Sequence, residues 1–113
     1  MKPDFEAIFE DLKTGALELS KLTVKQYKDE AQADVMAFLK DSKESLKRWT
    51  SLLAAGELTV ADFEWLVESQ KDLLLMNGLK QTALSKIRME HFKTSVLNFV
   101  VDTALDHVAK ELS

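Results

Sequence analysis

Apolar and small side chains recur at steps of three and four residues through the first half of the chain. Between Phe5 and Trp49 the mean step is about 3.67 residues, which is the period of a helix that runs nearly straight. Most charged residues fall between these positions, as in an amphipathic helix. The pattern predicts one continuous helix over residues 4–55. Its apolar or small positions are Phe5, Phe9, Leu12, Ala16, Leu19, Thr23, Tyr27, Ala31, Val35, Phe38, Ser42, Ser45, Trp49 and Leu53.

The continuity of this first helix has an alternative. Gly15 costs about 1 kcal/mol relative to alanine inside a helix, so the helix could break near Gly15 or around Leu22-Thr23-Val24. No proline and no loop-like cluster follows either place. A continuous helix is therefore the favoured interpretation.

The second half, residues 59–112, also carries a helical pattern, which is interrupted at Asn77-Gly78. This dipeptide would form a hairpin turn between two strands, but its flanks show no alternation with a period of two. A kink or a close helix contact at Gly78 is therefore expected, and a true break there is the structural alternative. From Met89 onward apolar positions occupy most of the helix circumference, which requires cover on more than one side.

Between the two halves, a helix stop and a helix start stand side by side. Gly56 can adopt the left-handed backbone that closes a helix. Thr59 is a good N-cap, and Asp62 places a carboxylate in the first turn of the next helix. Leu58 and Phe63 occupy the two positions of a hydrophobic staple. The stretch predicts a turn that joins two helices.

The length of 113 residues indicates a single domain, residues 1–113. The chain has only three glycines and one proline. These residues most often form turns and break helices, so their scarcity favours an all-α fold. The predicted organisation is an antiparallel long-helix hairpin, with arms 4–55 and 59–112 joined by a turn at 56–58.

The hairpin implies a register between the arms. Residues face each other when their numbers sum to about 114, because each residue advances both helices by the same rise. Gly15 then lies level with Phe99, and Met36 lies level with Gly78. Two of the three glycines would thus each face a bulky side chain.

A two-helix hairpin would leave the wide apolar face of residues 92–108 in water. Burial of apolar area is favourable by about 25 cal/mol per Å², so two hairpins are expected to pair into a four-helix bundle. The alternative is a compact monomeric four-helix bundle with breaks near Thr23 and Gly78. The predicted interface consists of Phe92, Val96, Phe99, Val100, Val101, Leu105, Val108, Phe5, Phe9 and Leu12.

Charge and targeting signals limit the partners. The net charge is −4, and no cluster of Lys and Arg is visible along the chain, so nucleic-acid binding is not expected. The acidic start does not resemble a signal peptide, and no apolar run approaches a membrane span. The basic polar face of a lipid-binding helix is missing, so membrane binding is not expected. With no cysteine in the chain, a cytoplasmic protein is predicted.

No catalytic constellation is visible. His91 and Asp102 share a helix face but lie about three turns apart. Asp102 and Asp106 are one turn apart, with His107 off their face. A di-metal bundle needs Glu-x-x-His pairs on facing helices, and the chain has none. The prediction is a protein that is not an enzyme, with no catalytic or metal site and no cofactor.

The block Trp49–Leu58, followed by Asp62–Leu66 and Glu68–Leu73, resembles small bacterial helical proteins of about this length. The resemblance implies a bacterial source and supplies neither an activity nor a site. The predicted function is a structural or protein-interaction bundle that self-associates through the apolar face of the second arm, with a further protein partner of unknown identity. The alternative function is a helical module that binds lipid or another apolar ligand.

Overall fold

Four α-helices form the fold in a computed structural model, which describes residues 4–112 and the side chains of residues 4–110. No strand occurs in this described range, so the all-α prediction is confirmed for it. The helices are α1 (Phe5–Thr23), α2 (Lys28–Ala54), α3 (Val60–Ser69) and α4 (Lys86–Leu112). Short 3₁₀ helices at Lys25–Tyr27, Gln70–Leu73 and Leu79–Gln81 lie between them.

Successive helices run in opposite directions. Near the start of α1, Glu6 lies 3.7 Å from Lys43 in the second half of α2. Asp11 of α1 lies against His107 near the end of α4, so α1 and α4 are also antiparallel. The first helix packs between α2 and α4, and the short α3 packs between the same two helices. The bundle measures 45 × 22 × 19 Å.

The prediction of a continuous first arm is wrong, because α1 ends at Thr23. Val24 leaves the helical conformation with φ −130° and ψ 51°, and its side chain is buried. Its N–H donates to the carbonyl oxygen of Ser20 at 3.1 Å, and its own carbonyl accepts from the Tyr27 N–H at 2.8 Å. The reversal of the chain therefore buries an apolar side chain and leaves the local backbone groups paired.

The prediction of a continuous second arm is also wrong. The third helix ends at Ser69, and residues 70–85 form 3₁₀ turns and irregular backbone before α4 begins. The two interruptions lie where the alternative four-helix arrangement placed them, near Thr23 and Gly78. Their physical reason is burial: four shorter helices of one chain cover one another, whereas two long ones cannot.

The central turn forms as its residues predict. Gly56 has φ 79°, the left-handed conformation of a helix-closing glycine. Its N–H donates to Leu53, and the Glu57 N–H donates to Leu52 at 2.9 Å, which together make a Schellman closure. Thr59 and Asp62 then form a reciprocal capping box at the start of α3.

The core runs the length of the bundle. Its largest fully buried side chains include Phe38 of α2, Phe63 of α3 and Phe92 of α4. The prediction that Gly15 lies opposite Phe99 is confirmed, since a Cβ built on Gly15 would meet the Phe99 ring. Glycine at this position allows α1 to approach an aromatic side chain of α4.

Replacing Gly15 with alanine is expected to destabilise the fold. The new Cβ would lie 2.0 Å from Cζ and 2.6 Å from Cε1 of Phe99, so the ring would have to move. Overpacking costs about 1–3 kcal/mol, which outweighs the roughly 1 kcal/mol that alanine contributes through helix propensity. Urea denaturation of the Gly15→Ala variant measures the difference.

The matched control is the same substitution in a Phe99→Ala background. Without the ring there is no clash, and Gly15→Ala is then expected to stabilise by about 1 kcal/mol. The reversal of sign is the coupling between the two positions. An equal loss of stability in both backgrounds would contradict the close approach of Gly15 to Phe99.

Candidate binding groove

A groove lies between the irregular segment after α3 and the first turns of α4. It has a volume of about 580 Å³. Asp72, residues 74–76 and Lys80 line one side, and the other side is a stripe of α4 at helical spacing. The lining residues are Asp72, Leu74, Leu75, Met76, Lys80, Lys86, Met89, Glu90 and Lys93.

The floor of the groove comes from side chains that alternate in direction. Leu74 and Met76 are buried in the core, whereas Leu75 between them is 53% exposed. This alternation is typical of extended backbone rather than helix. Residues 73–76 were predicted to be helical, and the structure corrects this: the 3₁₀ helix ends at Leu73, and the backbone from Leu74 to Met76 is not helical.

Met76 turns the chain at the bottom of the groove. Its φ of 58° is the only left-handed value among the non-glycine residues described, and such a conformation costs an L-residue roughly 1–2 kcal/mol. Its carbonyl oxygen accepts from the Lys80 N–H at 2.8 Å. The cost is offset by burial of Met76 and Leu74 on either side of the exposed Leu75. The turn therefore presents an apolar side chain to solvent at a fixed place.

Asp34 of α2 attaches this segment to the bundle. Its carboxylate accepts from the Gly78 N–H at 2.7 Å and from the Leu79 N–H at 2.8 Å. Leu79 is fully buried beside it. A close contact of Gly78 with a helix is thus confirmed, but the contacting residues are Asp34 and Glu30 rather than Met36, which lies two residues beyond Asp34.

The rim of the groove carries charged side chains that form no ion pairs with other described residues. Lys80, Lys86 and Lys93 stand with Asp72 and Glu90 around the apolar floor. None of the five takes part in an ion pair with another described residue. Positive charge is in excess by one, in a chain whose net charge is −4. The groove can bind without covalent chemistry, through apolar contact and charge.

The residues of the predicted interface lie inside the bundle. Helices α1, α2 and α3 of the same chain cover the wide apolar face of α4. One chain therefore already covers this face, and self-association through it stays a prediction. Buried members are Phe92, Val96, Val100, Val101, Val108, Phe5, Phe9 and Leu12, and partly buried members are Phe99 and Leu105.

The polar residues considered as candidate chemistry stay apart or face solvent. His91 and Asp102 are both exposed. His107 lies 2.5 Å from Asp11, across α1 and α4, and this pair joins the two helices at the surface. Within residues 4–112, no group of three His, Cys, Asp or Glu side chains is placed to hold a metal ion. No helix in the same range is long and apolar enough to cross a membrane.

No protein-family model, no curated protein and no solved structure matches the chain. The resemblance to small bacterial helical proteins stays a prediction.

Proposed function

We propose that the chain is a non-enzymatic protein-interaction module, which binds an apolar segment with acidic residues from a protein partner in the groove beside α4. The observation that carries this proposal is the combination of an exposed Leu75 with three unpaired lysines around one apolar floor. Apolar contact supplies affinity, and the lysines select acidic flanks.

The shape of the groove supports a polypeptide segment as the occupant. Its two walls are the segment 72–76 and one face of α4, so it runs along the bundle surface. Small-molecule sites usually enclose most of the ligand's surface, whereas an amphipathic helix lies in an apolar groove with its polar side in water. The alternative occupant is a lipid or another small apolar ligand, and a binding experiment with peptides distinguishes the two.

Self-association through the apolar face of α4 would require the core to unpack, because Phe92, Val96 and Val100 are buried against helices of the same chain. The interaction role is therefore assigned to the groove. The groove needs no rearrangement of the core, since Leu75 and the lysine side chains Lys80 and Lys86 are already exposed.

A labelled synthetic peptide of about five helical turns tests the proposal. It carries leucines on one face and glutamates elsewhere, and a matched peptide carries glutamines in place of the glutamates. Fluorescence anisotropy is expected to show tighter binding of the glutamate peptide by roughly fivefold, because exposed ion pairs contribute about 0.2–1 kcal/mol each. Leu75→Glu is expected to weaken binding at least tenfold, since it places a charge on the apolar floor.

Trp65→Glu is the matched control. Trp65 is 68% exposed on α3 and lies outside the groove lining, so the substitution adds the same charge without touching the site. Equal binding by Leu75→Glu and the unchanged protein would contradict the proposal. Binding of an uncharged apolar dye that Leu75→Glu abolishes, with no binding of either peptide, would also contradict the proposal and would instead favour a small apolar ligand.

A further inference from the structure

The end of the bundle where α1 stops and α4 begins carries an excess of basic side chains. Segments 21–28 and 80–88 at this end contain no Asp or Glu, and Asp29 and Glu30 in the first turn of α2 offset only part of their charge. All of their basic side chains are exposed. These are Lys21, Lys25, Lys28, Lys80, Lys86 and Arg88.

Tertiary contacts bring the two segments to one place. The Arg88 guanidinium donates through Nη2 to the carbonyl oxygen of Thr23 at 3.3 Å, which joins the start of α4 to the end of α1. Glu18 lies 3.8 Å from Lys21 and reduces that lysine's contribution. The other five basic side chains have no ion pair with any residue that the structure describes.

Two aliphatic side chains project from the same end. Leu22 is 82% exposed and Ile87 is 73% exposed, more than any other large apolar side chain among the described residues. They adjoin Thr23 and Arg88, the two residues that are hydrogen-bonded to each other. The core beneath them is already closed by Val24, which is buried. Leu22 and Ile87 are therefore not needed for folding and are free to contact something outside the chain.

The opposite end of the bundle has the opposite charge. Segments 4–12 and 55–66 lie there and contain seven acidic residues with no Lys or Arg. Lys43, Lys47 and Arg48 of α2 offset only part of this charge. A negatively charged surface would therefore attract one end of the molecule and repel the other, which orients the long axis roughly perpendicular to that surface.

We propose that this basic end docks on an anionic lipid surface. Basic residues alone would suit any polyanion, but an exposed leucine and an exposed isoleucine gain little against a sugar-phosphate backbone. At a bilayer they can enter the boundary between headgroups and acyl chains. Stable attachment of a peripheral protein generally combines two signals, such as apolar insertion and a basic cluster. Both signals are present within one end of this bundle. This lipid-binding end is a different surface from the groove, although Lys80 and Lys86 border both.

Flotation with lipid vesicles tests the proposal. The probes are vesicles of phosphatidylcholine alone and vesicles with about 30% phosphatidylglycerol, which supplies the anionic charge. The protein is expected to float only with the anionic vesicles. Raising the salt from about 0.1 M to about 0.5 M is expected to release much of it, because the screening length shortens. Equal flotation with both vesicle types, or none with either, would overturn the proposal.

Two double variants separate charge from insertion. Lys25→Gln with Lys28→Gln removes two charges away from the groove, and each lysine near the surface contributes about fivefold in affinity, so binding is expected to fall roughly 25-fold. Leu22→Ser with Ile87→Ser is expected to weaken binding at least about tenfold, because the apolar contact with the lipid is lost. Circular dichroism verifies that both variants keep the helical fold.

The matched control is Lys40→Gln with Lys47→Gln, which makes the same change in net charge on exposed positions of α2. Its binding is expected to stay within about twofold of the unchanged protein. An equal loss of vesicle binding in this control would show that only net charge matters. It would overturn the proposal that one end of the bundle docks on the lipid. Binding of duplex DNA that is unaffected by Leu22→Ser with Ile87→Ser, in a protein that ignores anionic vesicles, would assign the basic end to nucleic acid instead.

Discussion

Replacing Phe92 with alanine is expected to lower the free energy of unfolding by about 3–5 kcal/mol, which is the usual cost of removing a buried aromatic ring. Phe92 is completely buried in α4, and the helices around it belong to the same chain. The loss should therefore be independent of protein concentration. An interface residue would behave differently, since its replacement would weaken association and make the apparent stability depend on concentration.

Urea denaturation at two protein concentrations measures this effect. Because small domains are stable by only about 5–15 kcal/mol, Phe92→Ala could leave little folded protein. Phe92→Leu then provides a milder variant. Trp65→Ala is the matched control, because this aromatic side chain is exposed and its loss should change stability by no more than about 0.5 kcal/mol. A denaturation midpoint of Phe92→Leu that rises with protein concentration would contradict a core made by one chain.

Replacing Asp34 with alanine is expected to release the segment that forms one wall of the groove. The carboxylate is the hydrogen-bond acceptor for both the Gly78 and Leu79 N–H groups. Hydrogen bonds to a charged group contribute about 1.5–3 kcal/mol, and the site is only part-buried, so a loss of about that size is expected in total. Asp34→Asn keeps one acceptor oxygen but points an NH2 donor at the other N–H, so it should recover only a small part of this loss.

Amide hydrogen exchange gives the most direct readout of this prediction. The Gly78 and Leu79 amides should exchange faster in Asp34→Ala, while amides in the middle of α2 should keep their protection, because the change opens one segment rather than the whole fold. Asp41→Ala is the matched control, since Asp41 is an exposed aspartate of the same helix. If the two amides keep their protection in Asp34→Ala, then Asp34 does not anchor the segment.

Helical content, the central turn and one part of the register could be predicted from the sequence. Each depends on neighbouring residues or on simple spacing. Gly56 and Thr59 sit at the positions that a helix stop and start require, and the structure has a Schellman closure and a capping box there. The level of Gly15 with Phe99 follows from counting back from that turn, and it holds because α1 and α4 remain antiparallel even though both arms are interrupted.

The candidate sites could not be predicted in the same way. The groove needs Asp34 of α2 to hold Gly78 and Leu79, a contact between residues more than forty positions apart. The basic end needs segments 21–28 and 80–88 to meet, and neither segment alone shows the basic face of a lipid-binding helix. In the sequence Leu74, Leu75 and Met76 belong to one uninterrupted apolar run, so the alternation of their burial gave no local signal for the groove.

By itself the sequence determined an all-α chain, a turn at Gly56 and the positions of the apolar stripes, because caps and periodicity act between near neighbours. Only the tertiary structure decided where the helices end. At Thr23 and Ser69 no glycine or proline ends the helix, and what ends it is the burial of Val24 after α1 and of Leu74 after α3. Burial depends on the neighbours that the whole fold supplies, so the apolar face predicted for a partner became the core of a single chain.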